Sequence, residues 1–144
     1  MKKILLAAAI VIAFGFRAMA DDPTEKVLDA FHKTFPNVKE VAWTDNEQSY
    51  EVKFKQNEVL SKVTYDKDGN ILKTLRYYFE QNLPLLVLSK VRSRFNDKKI
   101  FGVTEESSED GTLYHIILED AKHWINITAD SYGIITVDNK YNKA

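Results

Sequence analysis

The sequence predicts an α+β protein made of two tandem repeats, each a helix followed by a four-stranded antiparallel β-meander. Three observations carry that expectation. The stretch FPNVKEVAWT (35–44) returns as FNDKKIFGVT (95–104). Apolar residues fall at helical spacing just before each copy. Alternation with period two follows each copy and is broken by turn residues.

The repeat extends well beyond the two quoted stretches. VLDAFHKTFPNVKEVAWT (27–44) aligns with VLSKVRSRFNDKKIFGVT (87–104) at an offset of 60. After an insertion of four residues around Glu109–Gly111 the offset becomes 64, placing YEVKF (50–54) on YHIIL (114–118) and Gly69 on Gly133. Such fixed-period self-similarity marks a repeat architecture. The expected boundaries are residues 21–82 and 83–144.

Each element then follows in order. Asp22, Pro23 and Thr24 open a first helix whose stripe is Val27, Leu28, Phe31 and Phe35, with Pro36 ending it. Pro84 opens the second, with Val87, Leu88, Val91 and Phe95. In the first meander Val41 and Trp43 share one side of a strand. Tyr50, Val52 and Phe54 alternate with charged residues, then Val59, Val63 and Tyr65 continue beyond a turn centred on Gln56 and Asn57. That turn would set Lys55 opposite Glu58, an ion pair that helps fix register. DKDGN (66–70) is a second turn, its glycine supplying a positive φ, and Ile71, Leu75, Tyr77 and Phe79 follow.

The first residues are a cellular address. Lys2 and Lys3 precede an apolar run of thirteen residues, Ile4–Phe16, and small residues stand at Ala18 and Ala20. This is the pattern of a secretory signal peptide over 1–20, cleaved near Ala20. The run is too short for a membrane span, which takes about 20 residues. Its removal leaves 17 basic against 21 acidic residues, a formal charge of −4, which argues against a general nucleic-acid or anionic-membrane binder. The chain has no cysteine, so packing alone must hold the core even where disulfides are permitted.

The helix ending in Phe35-Pro36, the Val41-Ala42-Trp43 strand, YEVKF, DKDGN and the Leu83-Pro84 opening of the second helix occur in an order that resembles the PepSY-like, beta-lactamase-inhibitor-protein-like family of secreted bacterial proteins. The resemblance spans Asp21–Ala144. It implies tandem helix-plus-sheet repeats and export, but no agreed activity. The second copy departs from the pattern, with Val103 in place of the tryptophan and no proline after Phe95.

Catalytic and metal-binding patterns are weak. With Asp120 and Ala121 centring the last hairpin but one, His115 faces Asn126 and His123 faces Leu118, so these histidines point to opposite faces and cannot share a metal. His32 lies on a helix. YDKDGN (65–70) puts its glycine too early for an EF-hand loop. No serine sits in a nucleophile elbow. Glu105, Glu106, Glu109 and Asp110 are expected in a solvated hairpin loop rather than as paired acid and base. NIT (126–128) falls mid-strand and is not read as a glycosylation site. No cofactor or metal is expected.

One pair points to binding. On the face turned away from the helix, Ile117 would oppose Trp124, where the first copy carries Lys53 and Leu60. An exposed tryptophan beside an exposed isoleucine suits a partner surface. Tyr77 and Tyr78, with Phe79 near the junction of the copies, are a second candidate, for which packing in the core and between the copies is the favoured reading. The sequence therefore predicts an exported, non-enzymatic module, periplasmic or secreted, whose sheet surface engages a protein or peptide partner. A hydrolase or protease inhibitor is a special case by fold analogy. The alternative is a small-ligand carrier or sensor using a groove between helices and sheet. An enzyme acting through Glu105 or Glu106 ranks third.

Overall fold

The computed structural model of the protein describes residues 22–144. The leader expected over residues 1–20 lies outside them. A helix, α1 (Glu25–Thr34), precedes four strands, β1 (Val41–Asp45), β2 (Ser49–Gln56), β3 (Val59–Asp66) and β4 (Ile71–Tyr78). A 3-10 turn at Glu80–Asn82 leads to α2 (Leu85–Arg94), then β5 (Lys99–Ser108), β6 (Gly111–Glu119), β7 (His123–Asp130) and β8 (Ile135–Asn142).

The α+β class fits in its coarse sense, but two separate helix-plus-meander units do not. All eight strands form one antiparallel sheet in the order β1 to β8. The pairing that overturns two units is β4 with β5, continuous from Lys73↔Ser108 to Tyr78↔Val103. A meander ending at β4 would leave a row of unpaired N–H and C=O groups along a long edge, and β5 satisfies them. The result is mostly sheet, with two ten-residue helices on one face.

Each helix buries the stripe its spacing dictates. Val27 and Phe31 of α1 are fully buried against Tyr50, Val52, Phe54, Val63 and Tyr65. The Phe31 ring meets Trp43 at 5.5 Å and Phe54 at 5.4 Å, both edge to face. Val87 and Val91 of α2 are buried over a second cluster that includes Ile116, Leu118, Ile125 and Ile127. Each such side chain contributes about 1.5–3 kcal/mol by leaving water. Pro36 and Asn96 lie just beyond the helix ends, where Phe35 and Phe95 close each last turn with bonds to Phe31 and Val91.

Two turns tie the sheet to its helices. Gly69 has φ +88°, and a Cβ there would lie 2.9 Å from the Lys26 carbonyl oxygen on α1. Gly133 has φ +77°, and its Cβ would meet the Lys90 side chain of α2 at 2.6 Å. Asp66 is consumed within its turn. Its carboxylate accepts the N–H groups of Asp68 and Asn70 and the Asn70 amide, which holds its pKa below the usual carboxylate value.

Two hairpins are centred one residue later than expected. Asn57 (φ +50°) and Glu58 (φ +65°) form the first centre, so Gln56 pairs with Val59 and Lys55 with Leu60. Asparagine tolerates the left-handed region that this turn needs at its first central position. Lys55 and Glu58 still approach to 3.8 Å, but as neighbours across the turn rather than as opposed residues. In the β6–β7 hairpin Asp120 stands before the turn, accepting the N–H groups of Lys122 and His123. His115 therefore pairs with Thr128, and Glu119 with Trp124.

Candidate functional site

One face of the sheet carries the helices and the other is open. In the first half the open face is charged: Glu51 bridges Lys62 at 3.0 Å, with Lys53 and Lys55 exposed beside them. From β4 onward an aromatic and aliphatic cluster appears on it, among polar residues such as Lys73, Glu106 and His115.

Ile117 and Trp124 both lie on this open face, but as diagonal rather than opposed neighbours. Ile117 pairs with Asn126, and Trp124 pairs with Glu119 and Tyr141. A register shift of two preserves the face of every side chain, whereas a shift of one would have inverted it. Ile117 is 38% exposed and Tyr141 is 52% exposed. Tyr77 belongs to the same surface, opposite Leu60 and Thr104. Tyr78 does not. Its side chain is only 5% exposed and points to the helix side, where its hydroxyl donates to Glu105 Oε2 at 2.6 Å. Burial and then that carboxylate push the phenol well above its ordinary pKa.

Phe101 joins the patch through a bulge. Strict alternation would place it with Val103, under α2. The β5–β6 register instead shifts between Ile100 and Gly102, and Phe101 is 50% exposed. Its ring packs edge to face on Trp124, with centroids 4.9 Å apart. The missed signal was the glycine at 102, since glycine inside a strand often marks such a bulge.

The arrangement holds Trp124 in one pose. Phe101 supports its ring, and the Lys143 ammonium lies 4.3 Å from its centroid. Lys143 is itself fixed by Glu119 Oε2 at 2.7 Å. Tyr77, Phe79, Phe101 and Ile117, with Glu58 and His115, line an open hollow of about 270 Å³ that reaches the tryptophan through Phe101. Gly102 forms part of it, and a Cβ added there would meet nothing within 4 Å. Rigid aromatic residues around a hollow lose little side-chain entropy on binding, which is the chemistry of an interface anchor.

The acidic and histidine candidates are dispersed. Glu105 and Glu106 lie in β5, not in the loop, because β5 and β6 stay paired as far as Ser108↔Gly111. Being adjacent in a strand they face opposite sides, so they cannot act as an acid and base pair. Glu105 takes hydrogen bonds from Tyr78 and Arg76 on the helix side. Glu106 faces Lys73 at 2.8 Å on the open side, and that ammonium lowers its pKa. His115 is on the open face with its Nδ1 3.1 Å from Thr128. Thr128 in turn donates to Asp138. His123 lies 3.1 Å from Asp120 at the hairpin end.

No protein-family model matches the chain, and no curated protein does either. Solved structures do. A BLIP-like protein from Bacteroides fragilis superposes with a TM-score of 0.61 at 21% identity, over 83% of this chain and 86% of that one. A DUF2874 family protein from Bacteroides ovatus gives 0.64 at 20% identity, over 85% and 89%. A protein from Bacteroides eggerthii, inferred to be periplasmic, gives 0.61 at 18% identity, over 83% and 88%. No described helix is long and apolar enough to cross a membrane. The chain thus shares the fold of these BLIP-like and DUF2874 structures.

Proposed function

We propose that the protein is an exported, non-enzymatic binding module, periplasmic or secreted, that engages a protein or peptide partner through the open face between β4 and β8. The observation that carries this reading is the Phe101–Trp124 pair beside the hollow of Tyr77, Phe79 and Ile117. The first half of the same face carries mainly charged side chains, Glu51, Lys53, Lys55 and Lys62, with Leu60 beside Tyr77 at the boundary, so a cluster of this size is peculiar to the second half. Inhibition of an extracytoplasmic hydrolase is a special case supported by fold likeness alone.

Affinity capture from cell-envelope and culture-supernatant extracts tests the reading. The wild type is compared with an Ile117→Lys, Trp124→Ala variant and with a Lys53→Ala control, each shown to be folded. A partner retained by wild type and control but lost from the double variant is the expected result. Equal capture by all three would remove the open face from consideration. Truncating an anchor such as Trp124 should weaken binding by about 2 kcal/mol or more.

A further inference from the structure

The helix side of the sheet is not one core. The cluster under α1 and the cluster under α2 are distinct. A polar strip runs between them along the central strands. Ser61 pairs with Arg76, and Arg76 with Glu105, while Val63 pairs with Thr74, and Thr74 with Ser107. Above the β3–β4 part of this strip is a groove of about 360 Å³, within the usual range for small-ligand sites of about 300–1,000 Å³. Phe35, Phe54 and Val63 give it apolar walls, and Ser61, Thr74 and Arg76 line it with polar groups. Ser61, 7% exposed, is the one polar residue among the described residues that is buried.

Arg76 gives the groove its chemical sense. Its Nη1 donates to Glu105 Oε1 at 3.1 Å, while Tyr78 donates to the other carboxylate oxygen. Glu105 is the hidden member of the pair, its side chain 14% exposed against 45% for Arg76. The carboxylate therefore holds the guanidinium from one side, and a guanidinium has five N–H donors in a planar fork. Arg76 lines the groove, and among the described residues its side chain makes no hydrogen bond besides that to Glu105, which leaves donors for a second acceptor. A hydrocarbon chain suits the phenylalanine and valine walls, and an anionic planar head suits the fork.

We propose that this groove binds a small aliphatic monocarboxylate, its carboxylate on Arg76 and its chain along Phe35, Phe54 and Val63. The site lies on the opposite side of the sheet from the partner surface and is independent of it.

Octanoate is the probe, with octanamide as its uncharged counterpart, followed by amide NMR titration of the purified protein. Octanoate should give saturable shifts at Phe54, Ser61, Thr74 and Arg76, and octanamide should bind at least about tenfold more weakly. Arg76→Gln should reduce octanoate binding to the octanamide level. Because Arg76→Gln also disturbs Glu105, a Thr74→Phe variant that fills the groove and retains the ion pair should abolish the same shifts. The proposal fails if octanoate and octanamide bind equally, if Arg76→Gln or Thr74→Phe binds octanoate like wild type, or if shifts are absent or confined to Phe101 and Trp124.

Discussion

The two halves of the sheet match on one face and diverge on the other. Beneath the helices both present alternating large apolar residues, Tyr50, Val52 and Phe54 on β2, and Tyr114, Ile116 and Leu118 on β6, all buried. On the open side the same strands carry Glu51 and Lys53 in one half and His115 and Ile117 in the other. Burial restricts what the covered face can hold, and solvent leaves the other face free. A large apolar cluster on the free face therefore carries functional information that a covered one does not.

Adjacent residues of one strand give the largest test of that contrast. Leu118 is fully buried and Ile117 is on the open face. Leu118→Ala should cost about 2–5 kcal/mol in urea unfolding, and Phe31→Ala in the other half about 3–5 kcal/mol. Ile117→Ala should cost less than about 1 kcal/mol. A comparable loss at Ile117 would mean that its face is a core and not a surface.

The buried tyrosines sharpen the comparison between the two clusters. The Tyr78 hydroxyl is bonded to Glu105, so Tyr78→Phe should destabilise by about 2 kcal/mol. The Tyr65 hydroxyl is buried with no partner, so Tyr65→Phe should be neutral or stabilising by about 1 kcal/mol. Burial raises the pKa of Tyr65, Tyr78 and Tyr114 above the ordinary value of 10.0. A phenol that ionises more easily unfolded than folded stabilises fully below that value. Stability should therefore hold to about pH 10 and fall as pH rises beyond it, less steeply in Tyr78→Phe.

The two helix-facing turns separate backbone from side-chain crowding. Gly69→Ala and Gly133→Ala both pay about 1–2 kcal/mol for a left-handed residue. Gly69→Ala should cost more, because its Cβ meets a carbonyl of α1, whereas at Gly133 the flexible Lys90 side chain can move. The smallest stability effect belongs to Gly102→Leu. It fills open space at a backbone without positive φ, so stability should stay within about 0.5 kcal/mol while partner capture falls.

Much of this architecture was legible from periodicity. The helical stripes and the faces of Ile117 and Trp124 follow from spacing alone. What periodicity could not supply was pairing between distant strands, because β4 and β5 are joined through a helix and no turn fixes their register. Turn centres were missed by one residue because an aspartate or asparagine can stand before a turn or at its centre: Asp120 precedes its turn, and Asn57 is the first central residue of its turn, where the second was expected. Phe101 was hidden by a bulge, which alternation cannot encode. Glu105 and Glu106 were placed in a loop because charge suggested solvent, yet Arg76 and Lys73 on β4 pair with them within the sheet.

Site-specific photocrosslinking in living cells tests the central claim most directly. A photoreactive aromatic residue replaces Trp124 or Ile117 on one half of the open face, and Lys53 or Lys62 on the other. The account predicts a discrete crosslinked partner from positions 117 and 124, with none from 53 and 62. Crosslinking to the same partner from 53 and 62, with 117 and 124 silent, would contradict it.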